Sequence, residues 1–388
     1  MADPISPPAF RRVRILALWG AKQLDHYFIP SYMNNPRYEV ELVSGDRHLY
    51  SSFYAIGWRR LWKLRRKLER GEFDLIISGP VENSMWPRHK PLFPRLENTL
   101  RFLTYKHKRI DTEWAPWLIV GSVRKKVPLA VIDFTDPSFV QPNDFCLLEA
   151  ATLYFKINLY NWPRRSIAPL EAFLGSKKVL PHLSKLRRLT YGLSRGRIPE
   201  TVRPMRERDI DIFFSGSIPP NSDTGEGLII RRDIYQRCLR LGDRYKVICI
   251  NGLLPKKEYE DLLQRSKMVV CTESFGCDTG RHFDVAAHGS VILSNWIYTQ
   301  GNRPFLPDIH AIYFSLMGDD FERVTTSALA DPEKLARIAQ NARAFTCNEL
   351  KYEFLADEVV NETLRQHVAN MSAEKKMEAL TYSGKKLP

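Results

Sequence analysis

The stretch that most constrains the fold is residues 264–296, where an apolar run, a polar loop, a helical segment and a second apolar run follow one another. Met268–Cys271 is short and apolar, which is typical of a buried parallel strand. Thr272–Gly276 is polar and ends on glycine, so it indicates a loop at the carboxyl end of that strand. The chain can turn helical from Gly280, with Gly289 as a C-terminal cap. This order predicts an α/β fold built on a parallel sheet.

Two charged residues lie near the start of the predicted helix, where a ligand site is expected. Ligands of open α/β sheets bind outside the carboxyl ends of the strands, and a helix N-terminus there offers unpaired N–H groups to a phosphate. Arg281 can bind phosphate oxygens in a bidentate manner, and Asp284 can accept hydrogen bonds from sugar hydroxyls. The pattern favours a nucleotide-diphosphate site. The simpler alternative is a surface ion pair, which contributes only about 0.2–0.5 kcal/mol.

The segment that contains these residues resembles a motif of known glycosyltransferases. Residues 281–289 read R-H-F-D-V-A-A-H-G, similar to the R-x-F-E-x-x-A-x-G segment of the CgeB-like and related surface-polysaccharide glycosyltransferases, which have the GT-B fold. The resemblance implies that the acidic residue binds the ribose of a nucleotide and the basic residue its diphosphate. Asp284 stands where the family has glutamate. Glu273 does not match the spacing of the paired glutamates in retaining relatives, so the stereochemical outcome stays open.

Apolar runs in the first half of the chain predict a second parallel sheet. The length of 388 residues suits two domains, and the resemblance implies two Rossmann-like domains facing each other across a cleft, the GT-B arrangement. Phe155–Lys156 is similar to part of a Y-F-K segment in the same transferases, which implies that the last run closes the first domain. The predicted strands of this domain lie in residues 13–20, 38–45, 73–79, 128–133 and 151–160.

The domain boundaries follow from a change in composition. Residues 161–208 are rich in Pro, Gly, Lys and Arg without a sustained period, which indicates a connection. Asp209–Ser217 is a strand-like run that resembles the D-I-F-F-x-G start of a GT-B donor domain. The predicted units are an N-terminal acceptor domain (1–165), a connection (166–208), a nucleotide-sugar-binding domain (209–345), a helix that returns to the first domain (346–371) and a flexible tail (372–388).

Donor-binding residues are expected in the loops that follow strands of the second domain. A glycine directly after a strand lets a ligand approach the backbone, although a mere tight turn would also use one. The predicted donor-binding residues are Gly216, Ser217, Arg232, Thr272, Ser274, Gly280, Arg281, His282 and Asp284.

The catalytic residues are less constrained by pattern. An inverting reaction needs a general base near the acceptor, from a loop of the first domain, and a carboxylate at the end of a strand in the second domain can contact the donor sugar. Each candidate is also a common cap or loop residue type. The predicted catalytic residues are Glu273, Asp25, His26 and Glu82, with Asp133 and Asp136 as further candidates for the base.

No metal or other cofactor is expected. No G-x-G-x-x-G follows the first predicted strand, which argues against a dinucleotide. Asp209-Ile210-Asp211 has the D-x-D spelling of a metal site but precedes the carboxyl end of its strand. Arg281, the helix N-terminus and the Gly216–Ser217 loop can neutralise a departing diphosphate instead. The six cysteines lack metal or disulfide spacing, which indicates buried thiols.

The formal net charge of +14 favours an anionic partner. Residues 54–70 predict an amphipathic helix whose stripe includes Trp58, Trp62 and Leu68 and whose other face is basic. Such a helix packs on the sheet or lies at an anionic membrane surface, which is therefore a candidate partner. No apolar run approaches the roughly 20 residues that cross a bilayer, and Met1–Pro8 lacks signal-peptide features. The expected location is cytoplasmic, and the protein could in addition attach peripherally to the inner face of the membrane.

These patterns favour a metal-independent glycosyltransferase that moves a sugar from a nucleotide-sugar donor to a hydroxyl acceptor. The acceptor would be a glycan or a lipid-linked or surface-polysaccharide precursor. Two alternatives stay open. A nucleic-acid-binding or nucleic-acid-modifying protein fits the charge, although no nucleic-acid module is visible, and a non-catalytic nucleotide-sugar-binding protein would keep Arg281 and Asp284 without turnover.

Overall fold

The computed structural model of the chain describes residues 11–18, 22–43, 46–47, 54–80, 109–111, 127–134, 138–141, 144–218, 226–272, 279–296, 302–318 and 320–382. Within these ranges the chain forms two parallel sheets, one small antiparallel sheet, and helices that pack on the parallel sheets. The predicted α/β class with two parallel sheets is confirmed.

The bounds of the described elements are as follows. The strands are β1 (Val13–Leu18), β2 (Tyr38–Val43), β3 (Asp46–Arg47), β4 (Tyr54–Gly57), β5 (Leu75–Ser78), β6 (Arg109–Asp111), β7 (Leu129–Asp133), β8 (Leu153–Lys156), β9 (Leu186–Arg188), β10 (Ile210–Gly216), β11 (Val247–Asn251), β12 (Ser266–Cys271), β13 (Val291–Asn295) and β14 (Ala311–Phe314). The α-helices are α1 (Lys22–Met33), α2 (Trp58–Glu69), α3 (Phe145–Ala150), α4 (Pro163–Leu174), α5 (Ser176–Val179), α6 (Glu226–Leu241), α7 (Lys256–Arg265), α8 (Gly280–Ala287), α9 (Phe321–Leu329), α10 (Pro332–Glu349) and α11 (Tyr352–Tyr382).

The first parallel sheet has six strands in the order β2-β1-β5-β7-β8-β9. The inner strands β5, β7 and β8 are buried along their whole length, because helices cover the two sides of a parallel sheet, whereas the edge strands β2 and β9 are partly exposed. In β1, Leu16 packs into one core cluster, while Ile15 and Ala17 on the opposite face pack into another. This double burial explains why the strands of this sheet were recognisable as continuous apolar runs.

The predicted connection is more regular than its composition indicated. Residues 166–208 contain most of α4, all of α5, and the edge strand β9, which pairs in parallel with β8. Arg187 in β9 forms an ion pair with Glu362 of the last helix at 2.6 Å. A three-residue strand is too short to give a periodic signal, so the sequence pattern missed it.

The small antiparallel sheet has the order β3-β4-β6 and corrects one prediction. Tyr54–Gly57 is a strand paired with β6, so the helix predicted from residue 54 begins at Trp58. Leu64 and Leu68 form the buried side of α2. Trp62, expected on the packed stripe, is 53% exposed, and its ring lies 5.1 Å from the Arg65 guanidinium. Among the described side chains of α2, Trp62 therefore departs from the predicted stripe.

The second parallel sheet has five strands in the order β11-β10-β12-β13-β14. Its carboxyl edge brings together the end of β10 at Gly216, the end of β12 at Cys271, and Trp296 directly after β13. The helix α8 begins at this edge and returns beneath the sheet to β13, as the sequence pattern predicted. The edge therefore carries most of the predicted donor-binding residues.

A glycine and a buried arginine fix the far end of α8. Gly289 has φ +70°, and a Cβ placed there would lie 3.1 Å from Arg208 Nη2. Arg208 is 3% exposed and donates to the carbonyl oxygens of His288, Leu263 and Ser266. Burial lowers the pKa of Arg208 to about 10, with the charge of Arg203 contributing second. The glycine cap predicted for this helix thus has a second role, because it leaves room for the guanidinium that anchors the connection.

The last helix returns to the first domain. Tyr352, Leu355 and Val359 of α11 are buried in the core cluster that also contains Phe28 of α1. The helix continues to Tyr382, so residues 372–382 are helical where a flexible tail was predicted. None of the described helices has both the length and the apolar composition needed to span a membrane.

Candidate functional site

The site is organised by the first turn of α8 at the carboxyl edge of the second sheet. Thr279 caps this helix: its side chain accepts from the backbone of His282, and the His282 ring accepts from the backbone N–H of Thr279 at 3.3 Å. The N–H groups of Gly280 and Arg281 have no intrahelical acceptor at this end, so the first turn offers donors and positive partial charge to an anion.

Arg281 extends from this turn across the end of β10. A Cβ placed on Gly216 would lie 3.8 Å from both Nη1 and Nη2 of Arg281. The guanidinium also hydrogen-bonds with Tyr259 of α7, a phenol whose pKa is raised by burial and lowered by that guanidinium. Tyr259 thereby fixes the direction of the Arg281 side chain, and the missing side chain at Gly216 lets the guanidinium lie close to the backbone at the end of β10.

A second guanidinium lies close to the first. The pKa of Arg231 in α6 is lowered, mainly by burial and then by the positive charge of Arg281. Its Nε is buried without a hydrogen-bond partner among the described residues. The sequence pattern pointed to Arg232 instead, which is half-buried and has an interaction of its own within the protein. Two neighbouring cations with an unpaired buried donor are unfavourable in isolation, and a bound anion removes the repulsion.

Asp284 lies one turn along α8 and is 6% exposed. Its Oδ2 accepts from Arg197 Nη2 at 2.5 Å, and its Oδ1 is buried without a partner among the described residues. Burial raises the pKa of this carboxyl to about 6, which the charge of Arg197 opposes and that of Glu260 reinforces. An oxygen in this state is ready to accept a hydrogen bond from a ligand hydroxyl.

His282, predicted among the donor-binding residues, is engaged on both ring nitrogens. Nδ1 contacts the Thr279 backbone, and Nε2 lies 3.1 Å from Ser294 Oγ. Burial lowers the pKa of the imidazole to about 4, so the ring is neutral and its Nε2–H donates to Ser294. The described residues thus give His282 a role in holding α8 against β13, because no ring nitrogen is left to contact a ligand.

The remaining donor-site predictions that fall on described residues cluster at the same edge. Thr272 follows β12 and is 2% exposed, and its Oγ1 has no partner among the described residues. Ser217 follows Gly216 and is exposed, and Gly280 opens α8. The folded sheet thus brings together residues that lie as far apart in the sequence as Ser217 and Gly280.

Several predicted catalytic residues cannot be placed at the site. Glu273, Ser274, Glu82 and Asp136 lie outside the described residues. Asp25 and His26 belong to α1 directly after β1, but their side chains are likewise outside the description. Their roles stay predictions.

Asp133 is the exception, and its setting argues against a role as the base. It is fully buried at the end of β7, forms an ion pair with Lys156 at 3.0 Å and accepts from Tyr154 Oη at 2.8 Å. A carboxylate that is fully buried and already engaged by a cation and a hydroxyl is not accessible to an acceptor hydroxyl. Lys156, in the Phe155–Lys156 segment, therefore has a structural role: it pairs with Asp133 at the carboxyl end of the first sheet.

The D-x-D sequence lies at the opposite, amino edge of the second sheet. Asp209 pairs with Lys246 and Arg265, each at 2.7 Å, and Asp211 pairs with Lys267 at 2.6 Å. Hydrogen bonds from Arg265 and Lys246 hold the pKa of Asp209 well below its usual range. Over the part of the chain that the structure describes, no group of three or more His, Cys, Asp or Glu side chains could hold a metal ion.

Comparison with known proteins agrees with this geometry. Residues 205–361 match a family model described as glycosyl transferase-like. An alpha-glucosyltransferase in complex with UDP and a 13-mer DNA containing an HMU base is 12% identical, covers 91% of this chain and 98% of its own, and has a TM-score of 0.53. HepE from Anabaena, in complex with UDP and glucose, is 10% identical over 91% of this chain and 99% of its own, with a TM-score of 0.44. A search of the curated proteins found no match.

The fold and the matched family define a glycosyltransferase of the GT-B type. Residues 205–361 are similar to the glycosyl transferase-like family, and the predicted recognition of a GT-B glycosyltransferase is confirmed at this level. The narrower resemblance to CgeB-like enzymes stays a prediction.

Proposed function

We propose that the chain transfers a sugar from a nucleotide-sugar to a hydroxyl acceptor, and that the donor binds at the carboxyl edge of the second sheet. The observation that carries the proposal is the pairing of two features on α8. Arg281 lies beside Gly216 at the end of β10, and Asp284, one turn further, has a buried oxygen with no partner among the described residues. A diphosphate next to a ribose has the charge and the hydroxyls that this pair can bind.

The proposed chemistry assigns the leaving group to the two guanidiniums. As the glycosidic bond to the donor phosphate breaks, negative charge grows on the departing diphosphate, and Arg281, Arg231 and the first turn of α8 neutralise it. We propose that this charge replaces a metal ion in the reaction. A base in the first domain takes the proton of the acceptor hydroxyl in an inverting reaction, and Asp25, His26 and Glu82 remain the candidates.

A nucleotide panel tests the donor site. We expect UDP, GDP, ADP or dTDP to raise the unfolding temperature of the wild type, since a ligand that binds only the folded state stabilises it. Arg281→Ala should weaken binding of that nucleotide roughly tenfold to a hundredfold, the loss typical of hydrogen bonds to a charged group. Arg240→Ala is the matched control, because it removes an exposed arginine of the same domain that pairs with Glu322. Equal affinities for the two variants would contradict the assignment.

Turnover separates an enzyme from a binding protein. Incubation with the corresponding nucleotide-sugars in EDTA, with and without added Mg²⁺, should release the nucleoside diphosphate at comparable rates if charge from arginines is sufficient. Tight binding without release of product from any donor would favour the non-catalytic alternative. A requirement for Mg²⁺ would contradict the proposed metal independence.

We further propose that the acceptor is presented at an anionic surface, and that α2 contacts it. Arg59, Lys63 and Arg66 are exposed and have no acidic partner among the described residues, and Trp62 lies exposed between them. With Lys67 and Arg70 they line a groove of about 570 Å³. Cations around an exposed tryptophan suit the interface of an anionic membrane, where a lipid-linked or surface-polysaccharide precursor would be held.

Nucleic acid is the alternative acceptor. The alpha-glucosyltransferase that shares this fold was solved with DNA, and the net charge of +14 fits such a partner. Binding of duplex or single-stranded DNA that falls steeply between low and physiological salt, with no flotation on anionic vesicles, would favour this acceptor over a membrane.

A further inference from the structure

The connection between the domains contributes a side chain to the donor site. Arg197 belongs to a short 3-10 turn, Arg195–Arg197, and reaches from there to Asp284 of α8. Its backbone N–H donates to Ser194, and the preceding Leu193 exchanges backbone hydrogen bonds with Leu350 and Tyr352 at the junction of α10 and α11. The turn is therefore held at the point where the chain leaves the second domain for the first.

Arg197 holds only one of the two oxygens of Asp284. Its Nη2 contacts Oδ2 at 2.5 Å, while Oδ1 is buried and has no partner among the described residues. A buried carboxylate oxygen without a hydrogen bond costs free energy, and an ion pair that satisfies one oxygen fixes the direction of the other. The arrangement leaves a single acceptor of fixed orientation on Asp284, one turn along α8 from Arg281.

We propose that Arg197 is a positioning residue of the donor site: it orients Asp284 and keeps it ionised, so that Oδ1 can accept from a sugar hydroxyl of the bound nucleotide. This inference rests on the proposed function, since it assigns a task to the connection in nucleotide binding. It makes the affinity for the donor depend on a residue that lies outside the second domain's sheet and helices.

Charge explains why the carboxyl needs this partner. Burial alone favours the protonated form, and a nearby carboxylate, Glu260, adds to that effect. A protonated carboxyl loses the strong charge-assisted hydrogen bond to a hydroxyl. The ionisable groups that act on Asp284 are Arg197 from the connection, Lys256, Tyr259 and Glu260 from α7, Cys271 from β12, and Arg281 from its own helix.

The test is the pH dependence of nucleotide binding, measured by calorimetry with whichever of UDP, GDP, ADP and dTDP binds the wild type. We expect wild-type affinity to fall as the pH drops through about 6, where Asp284 takes up a proton. Arg197→Gln should move that midpoint upward by about 1–3 pH units, the usual effect of removing an opposite charge in contact. Arg197→Lys, which keeps the charge, should stay near the wild type. Titration of the nucleotide phosphate is common to all variants and cancels in the comparison.

Two further variants control for folding and for charge. Arg203→Gln removes an arginine of the same connection that pairs with Asp209 at 3.7 Å, and it should leave the midpoint unchanged. Asp284→Asn should remove the part of the pH dependence that comes from Asp284 and leave only that of the nucleotide phosphate, so that adding Arg197→Gln to it causes no further pH shift. An Arg197→Gln midpoint equal to that of the wild type overturns the inference and leaves the proposed function standing. A wild type that binds none of the four nucleotides overturns both.

Discussion

At the scale of single residues, the proposed donor site is built from groups that lower the stability of the folded protein. Arg231 and Arg281 repel each other, and Asp284 is a carboxylate buried to 6% exposure. Such groups persist where a ligand supplies the missing partner, because the folded protein without the ligand is less stable than one with apolar side chains there. The predictions at this scale therefore concern stability and binding together.

Asp284→Asn should stabilise the protein at neutral pH while weakening nucleotide binding. The folded-state pKa is raised from 3.8 to about 6, so the native state holds a proton between these pH values that the unfolded state has lost. The free energy of unfolding contributed by this group therefore falls as the pH rises through that window. At pH 8 the penalty is roughly 3 kcal/mol at 1.36 kcal/mol per pKa unit. We expect the variant to recover about 1–2 kcal/mol at pH 8 and almost nothing at pH 4, measured by urea unfolding.

A variant that is less stable than the wild type at pH 8 would contradict this account of Asp284. The comparison at pH 4 is the internal control, because both side chains are then uncharged in the folded protein and most of the remaining difference reflects packing rather than ionisation.

Gly289→Ala should destabilise the second domain by roughly 1–3 kcal/mol. The residue has φ +70°, which alanine adopts only with strain, and its Cβ would meet Arg208 Nη2 at 3.1 Å. Thermal unfolding measures the effect. Gly196→Ala in the connection is the control, because a Cβ there meets nothing within 4 Å. An equal loss in both variants would indicate that the positive φ and the contact with Arg208 are unimportant.

At the scale of elements, α2 differs most from its sequence prediction. The helix buries Leu64 and Leu68 and leaves Trp62 on the cationic side. Periodicity assigns Trp62 to the packed stripe because tryptophan is apolar. The rotation of the helix about its own axis is set by the sheet that the helix packs on, and the periodicity does not record that rotation. The packing of the element, rather than its pattern, therefore decides which residues contact a partner.

Flotation with phosphatidylserine vesicles at low salt tests the proposed surface. Replacing both Lys63 and Arg66 with alanine should weaken binding about thirtyfold, at about 1 kcal/mol for each cation near an anionic surface. The double variant Arg206→Ala with Lys257→Ala removes the same charge from exposed positions in the second half of the chain and should float like the wild type. Equal weakening in both double variants would mean that net charge, and not the α2 face, attracts the vesicles.

At the scale of the whole molecule, the C-terminal helix joins the two halves of the chain. The core of the first domain includes Leu355 and Val359 of α11, and Arg303 of the second domain pairs with Glu358 of the same helix at 3.1 Å. Stability of the first domain therefore depends on a helix that follows the second domain in the sequence.

Leu355→Ala should lower the free energy of unfolding by roughly 2–5 kcal/mol, the usual cost of removing a fully buried leucine side chain. Val368→Ala further along the same helix is the control, since Val368 is 62% exposed and its truncation should change stability by less than about 0.5 kcal/mol. Chemical unfolding followed by tryptophan fluorescence compares the two. A small effect of Leu355→Ala would show that α11 is only loosely attached to the first domain.

The sequence by itself determined the α/β class and the buried strands. It also determined the strand-loop-helix-strand unit that carries Arg281 and Asp284. These features are predictable because strand burial and helix capping each produce a recognisable local pattern of residues. It also gave the GT-B resemblance through one short motif. Only the tertiary structure decided which arginine of α6 approaches Arg281 and that Arg197 pairs with Asp284. It also decided that both aspartates of the D-x-D sequence form ion pairs at the amino edge of the second sheet. These contacts join residues that are distant in the sequence. Their geometry depends on how the helices and sheets pack, and the local periodicity of the sequence carries no information about that packing.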